Sequence, residues 1–293
     1  MPAGALALVL LAGLIHASWN IAAKRAGGDA RFALLTGVVL MVGWAPLGVW
    51  LAVRHLPQWG VAEWGAAIAS AVLHAVYYLT LLRGYRKADL TVVYPVARGT
   101  GPLMSSTLAV LLLGEQLSAW GTLGIAAVVG GVFLVAGGPG LWRRAHEPAG
   151  RARIRVGLGY GLLTGAFIAA YTVVDGYAVK VLLVSPMLLE YTVNVMRMLI
   201  VVPMTIGDLP ALASAWRQQR RYIVFVGLVS PVSYVLVLYA MQMAPLSHVA
   251  PAREVSMLFA ALLGGQLLGE GDRLLRVLGA ACIAAGVMAL ALG

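Results

Sequence analysis

The chain has 293 residues, of which 61% are hydrophobic and 11% are charged, with a formal net charge of +10. Soluble domains carry roughly a quarter charged residues, so this composition excludes a water-exposed surface covered by polar groups and indicates a protein solvated by lipid. The single cysteine, Cys282, excludes an internal disulfide and argues against a thiolate metal site.

Ten apolar segments follow one another along the chain, each close to the 20 or so residues that a membrane-spanning helix needs. They cover residues 4–23, 31–53, 64–82, 90–113, 118–136, 157–179, 186–206, 222–241, 247–268 and 273–292. The first segment lacks a basic region before it and a clean cleavage site, so we interpret it as a span and not as a signal peptide.

The longest gap between spans, residues 137–156, contains five arginines and divides the chain into two five-span units, 1–136 and 157–293. Each unit ends with the same pair of segments: Arg98, Glu115 and Gly124 recur as Arg253, Glu270 and Gly279, always 155 positions later. Because five is odd, the second unit enters the membrane from the opposite side. The sequence therefore predicts an all-α membrane protein of ten transmembrane helices in two inverted-topology repeats, with a site between the halves.

Lysine and arginine are distributed unevenly between the two sides of the predicted bundle. The loops on the side where the chain begins, which we call the terminal side, hold Arg54 and Lys180, whereas those on the opposite, basic side hold sixteen Lys and Arg residues. Basic loops are typically cytoplasmic, so this count predicts both chain ends outside the cell and a location in the inner membrane. The charge lies in loops and not along a polar helix, which argues against nucleic acid as a partner.

Polar side chains within spans are costly, by roughly 2.5–3.5 kcal/mol for a charged group on insertion scales, and are therefore candidates for function. The candidate substrate-binding residues are Arg98, Arg253, Arg197, His16, Asn20, His74, Tyr78, Tyr171 and Tyr234. The candidate proton carriers are Asp175, Glu190 and Glu254, because burial in apolar surroundings favours the protonated form of a carboxylate.

Each candidate also has a structural alternative. Glu190, Asn194 and Arg197 share one helix face and can bridge to one another, and His16 and His74 can bond backbone carbonyls of their neighbours.

Arg98 and Arg253 stand out because each follows a proline within three residues, in a segment that Pro and Gly are expected to break. Broken helices at membrane depth line cavities, and arginine binds carboxylate or phosphate groups with two parallel hydrogen bonds. The alternative is that the two arginines lock the halves together. Glu115 and Glu270, at segment ends, are interpreted as capping or interface residues.

The chain contains no nucleophile, zinc or phosphate-binding motif of the common enzyme families, and no histidine pair at metal-ligand spacing within a helix. The sequence therefore predicts no catalytic residue, no metal and no cofactor. The expected partners are a small-molecule substrate and membrane lipids, with the chain acting as a monomer or homodimer.

The repeated ending carries a resemblance to a known family. The run from Pro102 to Gly114-Glu115, followed by Gly124, resembles the end of the EamA-type repeat of the drug/metabolite transporter superfamily, and Trp19 to Lys24 is similar to its first helix. The second copy departs from this pattern, since Met257 stands where the first has Pro102.

Arg197 is similar to an arginine that the family often has in the second helix of a repeat. Arg98 and Arg253 match no general motif of the family. The family is often described with both chain ends cytoplasmic, opposite to the orientation that the Lys and Arg count predicts.

The resemblance implies a carrier that moves small metabolites, often outward, by alternating access. The expectation is thus an exporter of a small organic molecule that carries an anionic group, with a proton as candidate coupling ion. Three alternatives stay open: a flippase of lipid-linked substrates, an intramembrane transferase using His16 with His74, and a scaffold subunit.

Overall fold

The computed structural model describes residues 1–27, 30–88, 90–135, 148–205, 207, 209–264 and 273–293. Within these ranges the chain forms helices and contains no strand. The helices are α1 (Ala3–Arg25), α2 (Ala30–His55), α3 (Val61–Lys87), α4 (Leu90–Leu113), α5 (Ala119–Val135), α6 (Pro148–Lys180), α7 (Pro186–Thr205), α8 (Leu209–Met243), α9 (Leu246–Ala252), α10 (Val255–Gly264) and α11 (Arg273–Leu292). A short 3₁₀ turn, Leu56–Gln58, follows α2.

Six helices in the described part of the chain are long and apolar enough to cross a membrane, namely α1, α2, α3, α4, α6 and α8, and α5 and α11 are shorter apolar helices. Large apolar side chains point outward, with Leu111 72% and Leu199 70% exposed. An apolar outer surface of this kind suits contact with lipid. The prediction of an all-helical membrane protein is confirmed.

Two helices begin more than two turns before the predicted spans. α6 starts at Pro148 and α8 at Leu209, so Arg217, Arg220 and Arg221 lie on a helix and not in a loop. Apolar periodicity misses such extensions because charged helix turns beyond the lipid carry no apolar signal.

The expectation that both repeat copies are broken helices is half right. The second copy is interrupted at Arg253 and Glu254, between α9 and α10. There the N–H groups of Glu254 and Met257 donate to carbonyls three residues back, at 3.0 and 2.8 Å, which tightens the chain into a turn. The first copy is continuous, because α4 runs through its prolines and glycines without a break.

Close packing against α6 holds α4 in a helix. Gly157, Gly161 and Gly165 recur every four residues and form a smooth face on α6, and α4 lies directly on it. A Cβ atom added at Gly157 would lie 2.8 Å from Val92, and one at Gly161 would lie 2.7 Å from Val96. The three glycines thus let two helix backbones approach closely along several turns.

A second close contact joins α5 to α11 in a reciprocal pattern. Gly131 meets Gly279 and Gly124 meets Gly286, so that a Cβ on any of the four would lie 2.6–2.9 Å from a carbonyl oxygen of its partner. Gly279 and Gly286 are the sequence copies of Gly124 and Gly131, so each glycine meets the copy of the other one. The start of α5 lies at the end of α11, and the two helices run antiparallel.

Gly131→Ala is expected to destabilise the protein by about 1–3 kcal/mol, because the added methyl group would overlap the carbonyl of Gly279 and backbone atoms cannot swing away. Gly130→Ala is the matched control, since a Cβ there has no neighbour within 4 Å. The measurement is the thermal unfolding temperature of both variants in detergent. Equal unfolding temperatures would contradict tight packing at this crossing.

The largest apolar core fills the terminal side of the bundle. It joins Ala5 and Val9 of α1, Leu238 and Met241 of α8 and Leu246 of α9, all at most 1% exposed. The two chain ends lie together on this side, where the amino group of Met1 donates to the carbonyl of Ala291 at 2.8 Å. Because this core fills the bundle near the chain ends, space for a ligand lies further from the chain ends, on the other side of the core.

Candidate functional site

A cavity of about 350 Å³ lies inside the bundle, lined by α1, α2, α3, α4, α6, α7, α8 and the break between α9 and α10. Eight of the nine predicted substrate-binding residues line it: Arg98, Arg253, Arg197, His16, His74, Tyr78, Tyr171 and Tyr234. Asn20 does not, because its side-chain amide donates to the carbonyl of His16 at 2.9 Å on the same helix.

One end of the cavity is formed by a cluster of three charged residues, Arg98, Arg253 and Glu254. Nη2 of Arg98 lies 2.8 Å from Oε2 of Glu254, and Nε of Arg253 lies 3.7 Å from Oε1. Glu254 is 1% exposed and lies behind the two arginines, which line the cavity themselves. Two guanidinium groups share one carboxylate, so the cluster carries one excess positive charge.

The geometry separates the roles of the two arginines. Arg98 lies in the first half and pairs with Glu254 and Ser256 of the second, its Nη2 donating to Oγ of Ser256 at 3.3 Å. This contact joins the halves. Nε has no hydrogen-bond partner among the described residues in either arginine, but Arg253 makes only the longer 3.7 Å contact to Glu254 within the described part of the chain. Arg253 is therefore the less engaged of the two and the better placed to bind a ligand.

A second polar group follows α7. Oε1 of Glu190 accepts from the Asn194 amide at 2.7 Å, and Oδ1 of Asn194 accepts from Arg197. The bridged cluster that the sequence offered as an alternative is present, and it also lines the cavity. The amide of Asn194 connects the two charged groups, so the Glu190 and Arg197 charges balance without a direct ion pair.

Aromatic rings form the wall between these polar groups. His74 stacks on Tyr171, with ring centroids 3.9 Å apart, and lies edge-on to Tyr234 at 5.9 Å. Nδ1 of His74 lies 2.9 Å from the carbonyl of Ser70 on its own helix, which fixes the ring. A planar or apolar part of a ligand would pack against this wall.

Sequence reasoning missed several lining residues. Trp19 packs edge-on to His16 at 4.7 Å and donates from its indole nitrogen to Oγ of Ser233 at 3.3 Å. Tyr77 and Ser256 also line the cavity. Trp19 and Tyr77 each lie three residues after a predicted histidine, and this helical spacing was the available signal.

Asp175 lies outside the lining, 1% exposed, behind Tyr234. The hydroxyl of Tyr234 donates to its Oδ2 at 2.5 Å, while its Oδ1 has no hydrogen-bond partner among the described residues. No group of three or more His, Cys, Asp or Glu side chains in the described ranges could hold a metal ion.

Glu115 closes the terminal side of the bundle. Its carboxylate accepts the N–H groups of Leu246 and Ser247 at the start of α9, both at 2.8 Å, and lies 3.0 Å from Nζ of Lys180. The interpretation of Glu115 as a capping and interface residue is confirmed; its copy, Glu270, lies outside the described residues. Partial burial raises the pKa of Glu115, but the bonds from Ser247, Leu246 and Lys180 outweigh it and the pKa falls below its usual value.

Two segments of the chain, residues 3–137 and 155–292, match the model of the EamA-like transporter family. The chain belongs to this family. As an EamA-like protein it is a multi-pass membrane transporter of small molecules, and its family is one of transporters and not of enzymes. The repeated match corresponds to the duplicated Gly-Glu ending that suggested the family from the sequence.

A solved crystal structure shares the fold, with a TM-score of 0.73 over 100% of this chain and 98% of its own, at 16% sequence identity. At this identity the likeness concerns the fold alone. None of the curated proteins matches the chain.

Proposed function

We propose that this EamA-like protein is a secondary carrier of small organic anions in the inner membrane, working by alternating access. The observation that carries the proposal is Arg253, a guanidinium group that lines the cavity and shares with Arg98 the one carboxylate within 4.0 Å of it in the described residues. An excess buried positive charge is costly without a counterion. An anionic group of the substrate would supply that counterion when it binds.

The size and lining of the cavity limit the substrate further. A space of about 350 Å³ is at the small end of ligand sites, which favours a metabolite over a lipid. The stacked His74 and Tyr171 rings accept an apolar or planar part, and Glu190 on the opposite polar group accepts hydrogen bonds from hydroxyl or amino groups.

We propose that the chain crosses the membrane ten times, in two inverted repeats of five helices each, and that transport depends on this arrangement. The reciprocal contacts of Gly124 with Gly286 and of Gly131 with Gly279 support it, since antiparallel copies of one element meet this way around a pseudo-twofold axis. The ion pair of Arg98 with Glu254 crosses between the halves beside the cavity. Rocking of one half against the other would then change the surroundings of the ligand.

The conformation described here is closed on the terminal side, where the apolar core and Glu115 lie between the cavity and the chain ends. We infer that the cavity is reached from the basic side, which the Lys and Arg count assigns to the cytoplasm. A cytoplasm-facing carrier loads substrate from the cell interior, which agrees with the export that the family resemblance implies.

A ligand screen of the purified protein tests the anion preference. Succinate, inorganic phosphate and methylphosphonate serve as anionic probes, glycine as a zwitterion and choline as a cation. At least one anion is expected to raise the unfolding temperature, because binding at a hundred times its Kd stabilises the folded state by about 2.7 kcal/mol. Choline is expected to have no effect.

Arg253→Gln is expected to remove the response to the anion, since it deletes the excess positive charge. Arg83→Gln is the matched control: Arg83 is exposed and outside the cavity. Stabilisation by choline alone, or an unchanged anion response in Arg253→Gln, would overturn the proposal. A response to phospholipid alone would favour the flippase.

A further inference from the structure

The three carboxyl groups offered as proton carriers differ sharply in their partners. Glu254 lies between two arginines, and Glu190 accepts the Asn194 amide that in turn contacts Arg197. Asp175 has no Lys, Arg or His nitrogen within 4.0 Å in the described part of the chain. Among the described residues its one hydrogen bond of good geometry is from the hydroxyl of Tyr234, and its Oδ1 is buried without such a partner. The hydroxyl of Ser70, 3.2 Å from Nδ1 of His74, also faces the carboxyl group.

Polar and charged groups surround Asp175 on the helices packed around it. They are Tyr234 on α8, Ser70 with its partner His74 on α3, Glu190 on α7 and Arg253 at the break. The charge of Arg253 acts on Asp175 from a distance, but Arg253 makes no contact with it and lies beside Glu254, and Glu190 adds negative charge, so no cation in contact balances an ionised Asp175 in the described part of the chain. Burial of an unpaired carboxylate is unfavourable, and the group is stable there when it carries a proton.

Resting on the proposed anion transport, we propose that Asp175 is the proton-binding site of the carrier and that the hydroxyl of Tyr234 couples it to the ligand. Tyr234 lines the cavity, whereas Asp175 lies behind it. An ionised Asp175 accepts the tyrosine O–H. A protonated Asp175 instead donates its own O–H to the tyrosine oxygen, which leaves the tyrosine hydrogen free to point into the cavity.

The coupling has a defined sign. Protonation turns Tyr234 into a donor towards the cavity, where an anion accepts hydrogen bonds, so that the proton and the anion favour each other's binding. One proton taken up by the Asp175 carboxylate and one singly charged anion move together without net charge. The internal concentration of the anion can therefore drive its export.

Infrared spectroscopy of the full chain in liposomes tests the proton site without any substrate. Wild type is expected to show the C=O band of a buried protonated carboxyl group, which Asp175→Asn removes and Glu190→Gln keeps. Tyr234→Phe is expected to shift this band, because the carboxyl group loses its hydrogen-bond partner. A band that persists in Asp175→Asn, or that does not respond to Tyr234→Phe, overturns the assignment.

Probe binding tests the coupling, using whichever of succinate, inorganic phosphate and methylphosphonate stabilises wild type. As pH rises above the range in which Asp175 of the free protein holds its proton, the affinity of wild type is expected to fall tenfold per pH unit more steeply than that of Asp175→Asn, because each anion bound then brings one additional proton with it. Asp175→Asn is expected to bind the same probe without this additional proton, so that its pH profile shows only the titration of the probe. An unchanged pH profile in this variant overturns the coupling. If no anionic probe binds wild type, the anion function fails, and the infrared band still decides the proton site.

Discussion

Glu254→Gln is expected to lower the stability of the folded protein by about 3–5 kcal/mol and to abolish transport. The carboxylate of Glu254 is the shared counterion of Arg98 and Arg253, and removing one partner of a buried ion pair leaves the remaining charges uncompensated. Here the two positive charges of Arg98 and Arg253 would remain close together without a counterion. The measurement is the unfolding temperature in detergent, followed by flux of the anionic probe in proteoliposomes.

Two further variants identify the cause. Arg98→Gln leaves one arginine with one carboxylate, so it is expected to lose less stability than Glu254→Gln although the contact between the halves is gone. The double change Arg98→Met with Glu254→Met removes a cation and an anion together and is expected to recover part of the stability without recovering transport. If Glu254→Gln unfolds at the wild-type temperature, the carboxylate is not the counterion that we describe.

The sequence was sufficient for the helical class and for eight of the nine candidate substrate-binding residues to fall at the cavity, and one physical rule explains why. A polar side chain in a lipid-facing position is costly, so polar residues within apolar runs are expected to face the interior. His16, His74, Tyr171 and Tyr234 all do so. Asn20 is the exception, because a short amide can return its hydrogen bond to the preceding turn of its own helix and needs no partner elsewhere.

Local rules could not decide where a helix breaks. The segment 90–113 contains two prolines, Pro95 and Pro102, and its copy 247–268 contains one, Pro251. Nevertheless α4 is continuous and the interruption falls at Arg253. The difference comes from tertiary packing. The glycine face of α6 supports α4 along its length, whereas in the second copy the buried Arg253 and Glu254 lie at the break and Glu254 pairs with Arg98. Neither neighbour is visible in the local sequence.

The partners of the three buried carboxyl groups could be predicted from the sequence only in part. Asp175, Glu190 and Glu254 have the same standing in the sequence, since each is a carboxyl group in an apolar span. The sequence offered Asn194 as a partner of Glu190 and placed Arg253 beside Glu254, but only the fold brings Arg98 to Glu254 and Tyr234 to Asp175. Lys180 shows the same limit, because its place in a loop of the terminal side gave no sign of Glu115, with which it forms an ion pair.

Glu115→Gln is expected to open the terminal side of the bundle. The neutral amide loses the ion pair with Lys180 and weakens the bonds to the first N–H groups of α9. Hydrogen bonds to charged groups contribute about 1.5–3 kcal/mol each, and one such loss shifts a two-state equilibrium at least tenfold. Spin labels on cysteines replacing Gln116 and Met243, both exposed, would report this as a second, longer distance in a Cys282→Ala background.

Glu63→Gln is the matched control, because Glu63 also caps a helix start, accepting the N–H of Gly60 at 2.8 Å, but within a single half. It is expected to leave the label distance unchanged, while Lys180→Met, which spares the N–H bonds, should produce a smaller opening than Glu115→Gln. A single short distance in all three variants would mean that the apolar core alone closes this side.

The closure should also depend on pH in a defined direction. Because the pKa of Glu115 is lowered in the folded state, its stabilising contribution is fully present above the ordinary glutamate pKa of 4.5 and is lost only as pH falls below that value, through the lowered pKa. The short label distance is therefore expected to persist from neutral pH down to this point and to lengthen under more acid conditions. Glu115→Gln is expected to show the longer distance throughout, with no pH dependence at this contact. Opening of wild type already near neutral pH would show that a group other than Glu115 controls this side.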